Sequence, residues 1–115
     1  NNVVTEHFFD NIIGVSKNIT DKTRRIRFWA DRQQSKYIET KPLHTSQTKI
    51  SHNPTDGSSI YEIRVVENYE LYSVLMSYGD GIRVVHPPRI VKRLSEQLHQ
   101  AAANYDQEEP NVFLP

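Results

Sequence analysis

Two arginines and a tryptophan occupy alternate positions in the segment TRRIRFWA, with apolar residues between them. This alternation is the period of a β-strand, so Arg25, Arg27 and Trp29 should share one face of that strand. Guanidinium groups bind phosphate through their charge, and an indole ring can stack on a nucleic-acid base. The pattern predicts either a face that binds single-stranded nucleic acid or a solvated face whose arginines pair with acidic residues such as Glu62.

A second alternating segment, SIYEIRVV, carries Glu62 and Arg64 between apolar residues. If this strand belongs to the same sheet, Arg64 joins the arginine and tryptophan face. The segment lacks the glycine and paired aromatic residues of an RNA-recognition motif. Any binding of nucleic acid would therefore use a different surface from the one in that motif.

A third group of polar side chains lies in LHTSQTKIS, residues 43–51. We interpret this segment as a polar edge strand in which His44, Ser46 and Gln47 offer directional hydrogen bonds. These side chains could contact a ligand or partner, or they could serve only local pairing at the edge. A catalytic Ser–His pair would need His44 and Ser46 in contact, together with an orienting acid and an oxyanion hole. Same-face residues two apart on a strand do not normally make that geometry.

The sequence gives no sign of catalysis, metal binding or a cofactor. The five histidines are scattered along the chain, and there is no cysteine. No nucleophile–base pair, phosphate-cradling glycine loop or cluster of metal ligands is visible. We therefore expect no enzyme activity, no metal site and no cofactor.

The clearest periodicity runs from Ile60 to Pro88 and predicts a strand, a helix and a second strand. The apolar residues of the middle part have helical spacing, which begins after a capping residue, Asn68, and ends at Gly79. The segment from Ile82 to Val85 is short and β-branched. Such a strand–helix–strand unit joins two parallel strands.

Three further elements complete the chain. We predict a strand from Arg24 to Ala30, a helix from Asp31 to Thr40 capped by Asp31, and a long final helix from Arg89 to Tyr105. The final helix carries an apolar stripe of Val91, Leu94, Leu98, Ala101 and Ala102. We expect the stripe to close the core, and the alternative is that it pairs with a second copy of the chain.

In this order the elements predict an α+β domain of the ferredoxin-like split β-α-β type, a four-stranded antiparallel sheet with helices packed on one face. The strands at Arg24 and Ile60 would be central, and the strand at residues 43–51 would lie at an edge. The open face of the sheet would then carry Arg25, Arg27, Trp29, Glu62 and Arg64.

Composition limits the class of protein. The chain has 115 residues, 14 of them basic and 14 acidic, so its net charge is zero and binding to nucleic acid would need a local basic patch. Hydrophobic residues make up 37%, which is typical of one ordered domain. No apolar run is long enough to span a membrane.

Three segments together resemble a known family: FFDNIIGVSK (8–17), KPLHTSQ (41–47) and ENYELYSVLMSYGDGIRVVHPPRIVKRL (67–94). In order and spacing they are similar to the linker and C-terminal extension, the WCX-type domain, of WYL-domain transcriptional regulators of bacteria. The resemblance covers roughly Phe8 to Tyr105.

The resemblance implies three regions: a linker from a WYL domain outside this sequence (1–21), the extension domain (22–105) and a flexible tail (106–115). It implies a regulatory role in the cytoplasm, through effector sensing, homodimerisation or both. DNA would be bound by an N-terminal helix-turn-helix domain, of which no pattern is visible here. The alternatives are a small-molecule sensor and a sheet surface that binds single-stranded nucleic acid.

Overall fold

A computed structural model describes residues 22–107. The predicted linker (1–21) and residues 108–115 of the predicted tail lie outside the described residues. The elements are β1 (Thr23–Ala30), α1 (Arg32–Thr40), β2 (Thr48–His52), β3 (Ser59–Val66), α2 (Tyr69–Met76), β4 (Ile82–His86) and α3 (Pro88–Ala103). Short 3₁₀ turns at Gly79–Gly81 and Asn104–Asp106 follow α2 and α3.

The four strands form one sheet in the order β2-β3-β1-β4. Strand β1 is antiparallel to both β3 and β4, and β2 is antiparallel to β3. Strands β3 and β4 therefore run parallel on either side of β1, with α2 as their crossover. This topology confirms the predicted ferredoxin-like α+β fold, with β1 and β3 central and β2 at an edge.

All three helices lie on one face of the sheet, and the core fills the space between the two layers. The central strands contribute Ile26, Phe28, Ala30, Tyr61, Ile63 and Val65, all essentially buried. The rings of Phe28 and Tyr61 stack with centroids 5.6 Å apart. The Tyr61 hydroxyl is satisfied within the protein because it lies 2.8 Å from Ser35 Oγ and donates to Glu39 Oε2 at 2.7 Å.

Two side-chain caps fix where the crossover helices begin, as their sequences predict. Asp31 Oδ1 accepts a hydrogen bond from the Gln34 amide at 2.8 Å, and Asn68 Oδ1 accepts one from the Leu71 amide at 2.9 Å. Each cap satisfies an amide that has no partner within its helix. Gly79 has a φ of +59°, the left-handed geometry predicted for it after α2.

The second strand is shorter than predicted. Residues 43–51 were expected to be extended, but β2 covers only Thr48–His52, and residues 43–47 form a turn closed by a bond from the Gln47 amide to the His44 carbonyl at 3.0 Å. The Gln47 side chain also accepts a bond from the Leu43 amide at 2.9 Å. Polar side chains that bond nearby backbone groups compete with strand pairing, which explains the early end of the ladder.

The predicted role of the α3 stripe is wrong for its second half. Leu94 and Ile90, a residue outside the predicted stripe, are buried, whereas Leu98 is 42% exposed and Ala101 and Ala102 are exposed. Leu98 and Ala102 instead line an open groove beside Ile82 and Val84 of β4, so this part of α3 is not packed closely on the sheet.

No helix among residues 22–107 is long and apolar enough to cross a membrane.

The Asp31 cap gives a direct test of the α1 boundary. Replacing Asp31 by Ala should lower the free energy of unfolding by about 1 kcal/mol, because the Gln34 amide loses its acceptor. Asp31→Asn keeps an acceptor at the same place and should cost less than half as much. Urea unfolding of both variants measures the difference, and equal losses would contradict the capping role.

Candidate functional site

The face of the sheet opposite the helices, here called the open face, carries most of its charge as arginine. Because Ile26, Phe28 and Ala30 are buried, their alternating neighbours on β1 project from the open face. Strands β3 and β4 contribute in the same way. The charged and aromatic side chains of the open face are Arg25, Arg27, Trp29, Glu62, Arg64, Arg83 and His86, the register partner of Arg27.

Glu62 is the single carboxylate on the open-face strands, and it pairs with Arg27. The Arg27 Nε atom donates to Glu62 Oε2 at 2.9 Å, across the β1–β3 register pair that these residues form. This bond from Arg27, with the nearby charges of Arg25 and Arg64, holds the pKa of Glu62 below its usual value. The predicted pairing of an arginine with Glu62 is thus confirmed for Arg27.

Arg25 and Arg64 lie directly opposite each other in the β1–β3 ladder. Side chains in such a pair start about 5 Å apart, and like charges at this spacing destabilise a sheet. One carboxylate cannot neutralise four guanidinium groups. The open face is therefore a basic patch on a chain whose net charge is zero.

Trp29 is half-buried and is covered on one side by Arg83, whose Cζ lies 5.3 Å from the indole centroid. These two residues are register partners in the β1–β4 pair. Arg83 was not among the sequence-predicted site residues. It could have been found by combining the alternation of IRVVH with the split β-α-β topology, which sets β4 beside β1.

His44, Ser46 and Gln47 lie in the turn before β2, not on a strand. The expectation that His44 and Ser46 would not touch is wrong, because the turn brings His44 Nδ1 to 2.7 Å from Ser46 Oγ. Nδ1 also accepts a bond from the Ser46 amide at 3.0 Å. The pair is held by local backbone geometry, and the Gln47 side chain is bonded to the Leu43 amide.

Ser46 also joins the turn to the open-face strand β3. Its hydroxyl oxygen accepts a bond from the Arg64 amide at 2.8 Å and lies 3.3 Å from the Arg64 carbonyl oxygen. The side chain thus takes the place of a backbone partner where the β2–β3 ladder stops. The turn borders the open face at Arg64. The remaining predicted site residues lie together on the open face: Arg25, Arg27, Trp29 and Arg64.

The chemistry available on the open face is binding of anions and planar groups. Guanidinium groups offer several donors in a fixed plane, and an indole offers a flat apolar surface. Among the described residues, no three His, Asp or Glu side chains converge in a way that could hold a metal ion.

Ser46 should contribute measurably to stability. Ser46→Ala removes the hydroxyl that bonds the Arg64 amide, so the free energy of unfolding should fall by about 1 kcal/mol. Thr45→Ala, at an exposed neighbouring position of the same turn, should change it by less than about 0.5 kcal/mol. Thermal and urea unfolding compare the two variants. Equal effects would show that the bond between the Ser46 hydroxyl and the Arg64 amide does not stabilise the fold.

Comparison with known proteins identifies the domain. No curated protein is similar enough to the chain to count as a match. The family model of the WCX domain matches residues 22–102, which include every strand and helix described above except the last residue of α3. The chain therefore belongs to the WCX domain family, as the resemblance of its motifs predicts.

Proposed function

We propose that this WCX domain is the regulatory C-terminal domain of a WYL-type bacterial transcriptional regulator, and that its open face binds single-stranded nucleic acid as an effector. Family membership supports the regulatory role. The observation that carries the choice of effector is the open face itself, where four arginines and a half-buried tryptophan surround one carboxylate.

The spacing of the open face suits an extended polyanion. Neighbouring strands are about 4.8 Å apart, and successive side chains on one face of a strand are about 6.6 Å apart. Arg64 and Arg25 are paired on β3 and β1. Arg83 lies on β4 opposite Trp29, four residues farther along β1, so the charges form a diagonal band across the sheet. A backbone lying on this band would contact several guanidinium groups, and its bases could reach the indole edge of Trp29.

The arrangement of Arg25 against Arg64 supports a binding role over a structural one. Two arginines paired in register do not stabilise the sheet. The exposed Arg27–Glu62 ion pair contributes at most about 1 kcal/mol to the free energy of unfolding. Excess charge that costs stability is typical of a surface selected for a ligand of opposite sign. In this proposal the domain binds and does not catalyse, and DNA is recognised by a helix-turn-helix domain outside these 115 residues.

Fluorescence anisotropy with a short single-stranded oligonucleotide at several salt concentrations tests the open face. Arg25→Gln and Arg64→Gln should each weaken binding and lower the slope of log K against log salt by about 0.7, because each removes one phosphate contact. Glu62→Gln should strengthen binding, because it removes the carboxylate that competes for Arg27.

The matched control is Arg32→Gln, which removes an exposed arginine from α1 on the opposite side of the sheet. It should leave the affinity and the salt slope unchanged. If Arg32→Gln weakens binding as much as Arg25→Gln does, binding follows total charge and the assignment to the open face is wrong.

Homodimerisation is a second candidate function, and the exposed half of the α3 stripe favours it. Leu98 and Ala102 border an apolar groove of about 410 Å³ whose floor includes Leu75, Val84 and Leu94. Apolar surface of this kind on a helix is typical of a contact with another chain. A second copy could place its own Leu98 in this groove, because a two-fold interface repeats the same residues on both sides.

Light scattering after size exclusion tests the dimer. The native chain should have twice the 13.4 kDa mass of one copy, and Leu98→Glu should shift it to one copy by placing a charge in the groove. Gln100→Glu adds the same charge to an exposed position outside the stripe and should leave the dimer intact. A native chain that stays at 13.4 kDa at high concentration would contradict this function.

A further inference from the structure

A second basic site lies on the helix-covered side of the sheet, at the end where β1 begins. It is a pocket of about 390 Å³ between the first residues of β1, the start of α2 and one face of α3. Its cationic lining consists of Lys22, Arg24, Arg89 and Arg93. Arg24 alternates with Arg25 along β1, so it projects to the side of the sheet opposite the open face. The two basic sites are therefore distinct.

Glu67 organises this pocket. Its carboxylate accepts a hydrogen bond from Arg89 at 2.5 Å and one from the Tyr72 hydroxyl at 2.6 Å. Burial acts to raise the pKa of Glu67, but the bonds from Tyr72 and Arg89 outweigh burial and leave that pKa below its usual value. Glu67 is thus an anion that fixes Arg89 and Tyr72 in place, and its single charge leaves the pocket with an excess of cations.

Arg93 is held in the pocket by the same aromatic ring. Its Cζ lies 5.0 Å from the Tyr72 centroid, a cation–π contact that leaves the edge of the guanidinium group able to donate hydrogen bonds. Arg89 and Arg93 are four residues apart on α3, so they lie on the same side of the helix one turn apart. Together they present two pre-positioned cationic groups, which is the arrangement that binds a phosphate chain.

Two uncharged residues of the pocket further limit the class of ligand that would fit it. Gln97, one turn beyond Arg93, lines the pocket with a buried Oε1 atom that has no hydrogen-bond partner among the described residues. A buried acceptor without a donor is unfavourable, and a ligand hydroxyl or amino group would satisfy it once the Gln97 side chain turns toward the pocket. Tyr69, also in the lining, is 75% exposed and offers a free aromatic face.

We propose that this pocket binds a nucleotide, with the phosphates on Arg24, Arg89 and Arg93, a sugar or base donor on Gln97 Oε1, and the base against Tyr69. A phosphate chain supplies the negative charge that the cationic lining lacks. Inorganic anions would satisfy only the arginines, and a nucleoside only Gln97 and Tyr69. The pocket is independent of the open face and would give the domain a small-molecule effector site of its own.

Titration calorimetry of the full chain with ADP, pyrophosphate and adenosine tests this assignment. ADP should bind more tightly than either of the other two probes, because it alone makes both sets of contacts. Arg89→Gln should weaken ADP binding at least about tenfold, as expected for loss of a charge-assisted bond to phosphate. Gln97→Leu should weaken ADP binding and leave pyrophosphate binding unchanged.

Two control variants separate the pocket from the rest of the surface. Lys92→Gln removes an exposed charge from α3 outside the pocket, and Arg25→Gln removes one from the open face; neither should change the affinity for ADP. Thermal unfolding verifies that each variant is folded. The proposal is wrong if ADP gives no binding heat at millimolar concentration or if pyrophosphate binds as tightly as ADP. It is also wrong if Arg25→Gln lowers the affinity for ADP as much as Arg89→Gln does. A chain that binds ADP but no oligonucleotide would contradict the function proposed for the open face and would still support the nucleotide pocket.

Discussion

Burial of alternate residues along β1 is the constraint on which the rest of the structure depends. Strand β1 is one of the two strands with a partner on both sides in the described sheet, and Ile26, Phe28 and Ala30 are fully enclosed beneath the helices. Because side chains alternate across a strand, this burial forces Arg25 and Arg27 to the open face. A slip of one residue would place two guanidinium groups in the core, so the same pattern fixes both the register and the basic surface.

Local hydrogen bonds set the edges of this framework. The turn before β2 is stabilised by its own polar side chains, and Ser46 accepts a hydrogen bond from the Arg64 amide of β3 where the β2–β3 ladder stops. On the opposite side of the sheet, Glu67 bonds both Arg89 and Tyr72 and so ties α3 to the start of α2. Burial, followed by the bond to Glu67, raises the pKa of Tyr72 to about 12, so its hydroxyl stays a donor throughout the physiological range.

Much of the fold and part of the site follow from sequence, because both depend on short-range periodicity. The alternation in TRRIRFWA and SIYEIRVV was enough to place Arg25, Arg27, Trp29 and Arg64 on one face, and the order of elements was enough to predict the sheet. What could not be predicted depends on three-dimensional neighbours. The contact of Arg83 with the Trp29 ring is an example, because it depends on the register between β4 and β1.

The errors have the same origin. Residues 43–47 alternate like a strand, but their side chains form hydrogen bonds with the nearby backbone. These bonds compete with strand pairing, and the alternation of residue types does not show which of the two is formed. The apolar stripe of α3 has a helical period throughout, but burial of its second half depends on how closely α3 packs on β4, and Leu98 and Ala102 line an open groove there. The pocket around Glu67 draws residues from β1, α2 and α3, so no contiguous motif marks it.

The most direct test of the central claim is a map of amide chemical shifts as a single-stranded oligonucleotide is added to the ¹⁵N-labelled chain. If the open face is the binding surface, the largest changes will fall on the amides of Arg25, Arg27, Arg64 and Arg83, and those changes will diminish as salt is added. Binding at the open face would be contradicted if these amide shifts stay fixed while changes concentrate on α3, or if no amide shift changes at oligonucleotide concentrations well above that of the protein.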